Sequence, residues 1–558
     1  RYSSLHENRI NGSLSGPIII PEYNFFISGE IDKRGSYLPF GYNDTRSFFS
    51  KLTTTAIPFI KISLSNRGSV GKRQSYSHSY KYIPEQYLQR RTDSWQSTLS
   101  LTHTVANNIF YDVKASYFNQ GYYSGINKDT ADYLASNDTE YFEEYGNGFE
   151  FYKKSDPPEL YDSRSATADF KADAVWQMGS MNEVKFGASF KKHWLKLFYV
   201  YDPKRNFPYL NDYSTEPFEG AAYIQDKIEL AYLVINIGLR FDYLNSNVEF
   251  RSNPLDPNSL VTVKSRSQLS PRFGIAHPIS DRTKLHFSYG HFFQNRDFEY
   301  LFENNQYDLN VREPLFGQPN LDAQRTISYE VGLSHQFSDN VAMNLTAYYR
   351  DITGLIGTRY FFPYVDGRYT GYTLYVNEDY ANIRGFELTL DVRPNRYFSG
   401  GLTYTYSIAK GSASSETEQY PGTEESTQLY FLDFDRTHVF NASGTYTIPD
   451  GEGPMLFDAP IFENMDFSLI FKASSGAPYT PSGRDIGFVE KNSLRQPGIY
   501  NLDLMIGKEF EFTSSLRLRL FAEILNLTDH RNILYVYGDT GDPDFTTNGG
   551  YSTEYMRD

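Results

Sequence analysis

Ala231-Tyr232-Leu233-Val234-Ile235-Asn236-Ile237-Gly238-Leu239-Arg240-Phe241-Asp242-Tyr243 is the stretch whose reading decides the fold. Ala231, Leu233, Ile235, Ile237, Leu239, Phe241 and Tyr243 share one parity; Asn236, Gly238, Arg240 and Asp242 share the other. A strand sends successive side chains to opposite faces, so this segment is apolar on one side and polar on the other. The same alternation returns at 283–293, 327–337, 341–350, 500–510 and 516–524. Strands of roughly ten residues patterned this way suit a sheet with lipid on one face and water or a polar filling on the other.

Working outward from 231–243, the periodicity predicts about twenty such segments. They begin near 5–16 and 22–32 and include 50–56, 341–352, 381–393, 434–447 and 516–527. Pro58 interrupts the pattern within 33–92. The connections alternate in length. Ser338-Asp339-Asn340, Pro394-Asn395-Arg396-Tyr397 and Thr513-Ser514-Ser515 are turn residues at hairpin length. Between them run long polar stretches such as 120–164, 295–324, 353–380 and 528–550. Short turns on one rim and long loops on the other predict an all-β, antiparallel transmembrane barrel, with short periplasmic turns and long extracellular loops.

Composition agrees. Hydrophobic residues make up 40% of the 558, yet mean hydropathy is −0.53, because a barrel hides its membrane face in alternation. No apolar run is long enough for a transmembrane helix. Aromatics reach 17%, with 48 Tyr and 43 Phe, as interfacial girdles and aromatic or sugar-like ligands favour. A soluble propeller or tandem sandwich rarely sustains such long amphipathic strands. The absence of Cys rules out disulfides and thiolate-bound metals. A net charge of −15 argues against a nucleic-acid partner and suits a surface bridged to lipopolysaccharide by divalent cations. The chain opens Arg1-Tyr2-Ser3-Ser4 without the apolar core of a signal peptide.

Six segments, in order, resemble TonB-dependent outer-membrane receptors. They are Ala222–Lys227 with Leu239–Tyr243, Pro319–Asp322 leading into Arg325–Glu330, Asn382–Glu387, Asp435–Asn441, Ser475–Tyr479 and Glu523–Leu527. The subgroup most resembled is the Bacteroidota type, which carries a carboxypeptidase-regulatory-like domain. The resemblance covers about 220–530; before that the match is one of pattern alone. It implies a barrel of about 22 strands, too wide to stand empty and filled by an N-terminal plug. It also implies import of a scarce nutrient (glycan, peptide or metal chelate) with energy from the TonB complex, engaged through the N-terminal region. On this expectation residues 1–558 are the barrel alone, lacking the first and last strands and the plug. The expected setting is the Gram-negative outer membrane, with its lipid and lipopolysaccharide, and with a surface lipoprotein as a further candidate partner. The alternatives are a passive porin or a structural or adhesive barrel of a surface assembly. A barrel enzyme is disfavoured. No H-E-x-x-H spacing or nucleophile elbow occurs, Gly12-Ser13-Leu14-Ser15-Gly16 has Leu at the nucleophile position, and His438 reads as part of a strand start.

Polar-face charges are the candidate lumen- and plug-facing residues: Arg240, Asp242, Glu330, Arg350, Arg384, Glu387, Arg517, Arg519 and Glu523. They either grip a plug or substrate or pair with one another across strands. In the 353–380 stretch Tyr360, Phe361, Tyr364, Tyr372 and Tyr375 are candidates for stacking on a ligand, with loop-on-loop packing as the other reading. No cofactor is expected. Asp539, Asp542 and Asp544 around Gly541 are spaced as carboxylates that could wrap a structural Ca²⁺, and Asp129, Asp132, Asp138, Glu140, Glu143, Glu144 and Glu150 form a second acidic cluster. Solvated charge is the plain alternative for both.

Overall fold

Alternation of apolar and polar residues is realised in one antiparallel meander. The structure, a computed structural model, describes residues 7–126, 140–143, 150–154, 159–201, 209–309, 314–418, 428–455, 460–483, 489–513 and 516–547, apart from positions 19 and 366. Side chains are described outside 127–158. The main sheet holds 23 strands. Twenty form a continuous wall: β1 (Glu7–Ile18), β2 (Ile20–Gly35), β3 (Tyr42–Thr54), β4 (Ile60–Gln74), β5 (Gln89–Ala106), β6 (Ile109–Gly125), β7 (Glu159–Met178), β8 (Asn182–Tyr201), β9 (Phe218–Leu230), β10 (Leu233–Asn245), β11 (Arg266–Ser280), β12 (Thr283–Gln294), β13 (Gln324–Ser338), β14 (Val341–Phe361), β15 (Tyr372–Val392), β16 (Phe398–Gly411), β17 (His438–Ile448), β18 (Met465–Ser474), β19 (Ile499–Thr513) and β20 (Leu516–Ile524). The short strands Tyr209–Thr215, Leu315–Phe316 and Tyr430–Phe431 add to it at the loop end. Among the described residues β1 pairs only with β2, and β20 only with β19. No described helix is long and apolar enough to cross a membrane; the crossing elements are strands.

Register fixes the two faces. Leu239 of β10 lies opposite Ile224 of β9 and Pro271 of β11, and Phe241 opposite Ala222 and Leu269. Ile237, Leu239 and Phe241 are exposed, while Arg240 and Asp242 are partly buried and paired with each other. The same outward row runs through Phe186, Ile224 and Leu239, and through Leu52, Leu64 and Leu99. The apolar face therefore points to lipid. Ile237 is an exception in its neighbours. It lies opposite Asp226, whose carboxylate accepts a 2.7 Å hydrogen bond from Asn182. Ile237 sits at the edge of the apolar band, and Leu239 and Phe241 lie deeper in it.

Several strands run past their sequence-predicted ends on the loop side. β3 starts at Tyr42 rather than 50, β14 reaches Phe361 rather than 352, and β15 starts at Tyr372 rather than 381. A strand of 20 residues such as β8 climbs about 50 Å at the usual tilt, roughly twice the height of the apolar band. Its upper half stands in water, where no lipid enforces alternation. β14 and β15 also slip register at Thr353/Leu355 and Leu355/Gly357, which breaks the period of two that a sequence reading depends on. β17 begins later than predicted, at His438, because residues 434–437 form the lock described below.

Candidate functional site

The long loops meet above the lumen and build a small core of their own. A five-residue helix, α1 (Phe298–Phe302), places Leu301 and Phe302 against Leu315, Leu321, Ile356 and Tyr375. Asn304 then turns the chain in the left-handed region (φ 47°), which Asn tolerates better than most residues. Its backbone N–H donates to the Asn211 side-chain oxygen at 3.2 Å. Between Phe302 and Asn304, Glu303 is half-buried, and its carboxylate accepts hydrogen bonds from the Tyr209 hydroxyl (2.5 Å) and the Tyr375 hydroxyl (2.7 Å). Three separate chain segments are thus clasped by one carboxylate. Burial raises the Glu303 pKa above the usual 4.5, against the opposing pull of the two hydroxyls, and burial beside Glu303 pushes both Tyr upward.

The sign of that shift has a consequence for the clasp. A carboxyl whose folded pKa is raised stabilises its fold most when protonated. Its contribution is complete below the ordinary Glu value and is lost as pH climbs from there through the raised value. Limited proteolysis within 295–324 is therefore expected to be slower near pH 4.5 than at pH 8. In Glu303→Gln, which stays neutral at both, this difference should vanish; its persistence would place the titrating group elsewhere.

Beside this core lies a cavity of about 260 Å³ on the inner wall. Ile352, Ile356, Ile383 and Leu432 give it an apolar floor, and Arg296, Asp379 and Glu416 bring both signs of charge to its rim. Arg296 donates from Nε to the Asp322 carbonyl at 3.1 Å, and burial lowers its pKa to about 10. The neighbouring loops are tied together across the mouth. Lys491 pairs with Glu418 and lies 4.6 Å from the Tyr430 ring centroid, and the Asn492 amide donates to the Phe431 carbonyl and Asp433. The cavity can accept a small amphipathic group bearing charge. Nothing in the sequence marks it, since its residues come from segments more than 130 positions apart.

The aromatic candidates divide. Tyr372 and Tyr375 are buried, Tyr372 against Phe316 and Phe361 and Tyr375 on Glu303, so they build the loop core and present no free ring. Tyr360 and Tyr364 are exposed in a ladder with Phe362 and Tyr369; Phe362 and Tyr369 stack with centroids 5.0 Å apart. Phe361 stacks on Tyr372.

Most lumen candidates face inward and pair. Arg240 forks onto Asp242; Arg350 reaches Glu330 at 3.5 Å. Arg517 reaches Glu509 and Glu511, and Arg519 reaches Asp466 at 2.8 Å. Glu387 lies opposite Thr346 and Glu523 opposite Met505 on the same inner face. Arg384 does not join them. It lies opposite Tyr349, which lies opposite Tyr329, and so faces outward among exposed tyrosines. The parity of Phe386, Leu388 and Leu390 carries Arg384 with it.

The turn at 539–544 holds its carboxylates apart. Asp539 accepts from the Thr547 N–H and from the Thr546 and Thr547 hydroxyls, which lowers its pKa to about 2, while Asp542 accepts from the Asp544 N–H. Among the described residues no three of His, Asp and Glu gather into a group that could hold a metal. The cluster at 129–150 lies outside the described side chains.

The recurring motifs prove to be locks at strand–loop junctions. Asp435, almost wholly buried, accepts from the Ala409 N–H (2.7 Å), the Thr437 hydroxyl (3.0 Å) and Arg495 (2.5 Å). Arg495 also donates to the Gly476 carbonyl, which joins the segments 435–441 and 475–479. A Cβ at Gly476 would collide with the Gln496 carbonyl, and one at Gly385 with that of Tyr406. Asp322 pairs with Arg266 at 2.8 Å, Leu321 is buried, and Asn526 takes φ 51° to end β20. His438 stacks on Tyr404 and hydrogen-bonds its hydroxyl at 2.8 Å on the outer face.

This architecture has counterparts of known structure. The outer-membrane transporter YddB from Escherichia coli superposes with a TM-score of 0.67 at 12% identity, over 94% of this chain and 72% of its own. The siderophore receptor PirA from Acinetobacter baumannii gives 0.62 at 14%, over 97% and 76%. The FrpB iron transporter from Neisseria meningitidis gives 0.59 at 14%, over 93% and 76%. No curated protein sequence matches the chain. The family model for the TonB dependent receptor-like β-barrel matches residues 24–527, and with the strand order, two-faced register and loop vestibule already described, the chain belongs to that family of outer-membrane receptors and transporters.

Proposed function

We propose that this barrel imports a scarce nutrient (glycan, peptide or metal chelate) in a TonB-dependent step, with the loop vestibule as the capture site. One observation carries the reading. The loops pack into a core and close over a cavity lined by apolar groups and both signs of charge, where a passive pore would keep a hydrated path. The exposed ladder from Tyr360 to Tyr369 supplies rings for planar or sugar-like ligands. The barrel makes and breaks no bonds in this scheme. In the same proposal a plug fills the lumen and contacts Arg240, Asp242, Glu330, Arg350, Glu387, Arg517, Arg519 and Glu523. The Bacteroidota-type subgroup and a surface lipoprotein partner belong to the proposal too.

Planar-bilayer recording on the intact protein tests it. The expected trace is electrically quiet, and removing the plug region should open a large steady conductance. Nutrient-limited uptake should stop when TonB is depleted. A constitutively open intact protein whose uptake ignores TonB would identify a porin instead.

A further inference from the structure

Where β4 runs into β5 at the long-loop rim, the inner face carries two arginines directly opposite each other. Leu64 and Leu99 are partners on the outer face. Arg73 and Arg90 are partners an odd number of rungs higher, with no slip of register between, so both point inward. Like charges directly opposite on an antiparallel pair repel. The flanking residues across the sheet, Asn43 and Ser124, carry no charge. Both arginines are exposed, and among the described residues neither makes an ion pair. Other arginines of the inner wall do pair, Arg240 with Asp242 and Arg519 with Asp466. Here two cations stand together uncompensated.

The connection 75–88 folds over them into an aromatic nest. Two single turns, His78–Tyr80 and Pro84–Gln86, shape it; the Tyr80 N–H donates to the Ser77 carbonyl and the Tyr87 N–H to the Pro84 carbonyl, each at 3.2 Å. Tyr87 is 1% exposed, with the Phe40 and Tyr76 rings edge-on to its own at 6.1 and 5.9 Å. Phe40 adopts φ 62°, rare for an aromatic residue, and Gln74 Nε2 donates to its carbonyl at 2.9 Å. A cavity of about 140 Å³ joins nest and arginines, lined by Arg73, Tyr76, Tyr80, Gln86, Tyr87 and Arg90. Two buried polar atoms of its lining residues, the Tyr87 hydroxyl and Gln86 Oε1, make no hydrogen bond among the described residues. Leaving such groups unmatched is costly, and a hydroxylated guest admitted to the nest would relieve that cost.

We propose that this site binds one acidic sugar residue, a hexuronic acid, of an incoming glycan. Its carboxylate bridges the Arg73 and Arg90 guanidiniums and cancels their repulsion. Its ring occupies the cavity, which has the size of a single sugar, with its C–H face on the tyrosines and its hydroxyls toward Tyr87 and Gln86. A neutral sugar leaves the arginines uncompensated, and a small anion leaves the nest empty, so selectivity needs both halves. The site shares no residue with the cavity beside Arg296. The inference rests on the loop vestibule as capture site and names a substrate class for it.

Saturation-transfer NMR titration of the intact, detergent-solubilised protein with glucuronate, glucose and acetate at constant ionic strength tests the site. Glucuronate should bind, and glucose and acetate should each bind at least about 10-fold more weakly. The variant R73Q/R90Q should bring glucuronate down to the level of glucose. It should also raise the denaturant midpoint, because it relieves a like-charge pair; a structural role for the two arginines would lower it. Tyr76→Leu should weaken glucuronate and leave acetate as it was. Acetate binding as tightly as glucuronate, unchanged glucuronate binding in R73Q/R90Q, or a lowered midpoint in that variant would overturn the proposal. The import reading fails separately. Glucuronate bound by a protein whose uptake ignores TonB would remove import and leave the site, whereas TonB-dependent uptake by a protein that ignores glucuronate would remove the site alone.

Discussion

Asp435→Ala is expected to destabilise the barrel by about 3–5 kcal/mol, the cost of leaving a charge-pairing group without its partner in a buried setting. The Asp435 carboxylate serves the Ala409 N–H at the top of β16, the Thr437 hydroxyl before β17, and Arg495 before β19. Its removal leaves a partly buried guanidinium and a buried backbone donor unmatched at one junction. Asp435→Asn keeps an acceptor for one of them and should cost less, while Thr437→Ala should cost only about 1 kcal/mol. Denaturant unfolding in lipid vesicles, read by the heat-modifiable mobility of the folded barrel, measures all three. If Asp435→Ala and Thr437→Ala shift the midpoint equally, the junction is not organised by the carboxylate.

Leu239→Arg should cost about 2–4 kcal/mol on folding into lipid, because it places a guanidinium among Ile224, Pro271 and the hydrocarbon near the middle of the band. Asn236→Arg, three residues away on the inner face, should cost little. Ile237→Arg should fall between them. Its side chain lies opposite Asp226, which can pair with the new cation near the edge of the band. The order Leu239, Ile237, Asn236 is therefore the expected ranking of destabilisation in vesicle refolding. Equal costs at Leu239 and Asn236 would mean that the two faces of β10 have been exchanged.

The wall of this protein was legible in its sequence because lipid enforces it. Each membrane-crossing residue has only two places to point, and a wrong choice costs kilocalories, so β10, β12 and β18 begin and end close to where alternation says. The inward placement of Arg240, Asp242, Glu330 and Arg519 follows from the same constraint. Arg384 is instructive, because parity alone places it with Phe386, and its polar character suggested the other face. Above the membrane that constraint ends. Bulges near Thr353 shift the register of β14 and β15, and the loops settle by finding one another. Whether Tyr375 would greet a ligand or seal a core depended on Glu303, 72 residues away, and on Tyr209, farther still. The motifs were visible as strings, but their reason was not, since Asp435, Gly476 and Arg495 become one lock only when β16, β17 and β19 stand together. The sequence by itself determined which residues cross the membrane and which way most of them face, since that is a local choice between two solvents. Only the tertiary structure decided what the loops enclose and which charges remain exposed, since those depend on long-range pairing between segments with no local pattern in common.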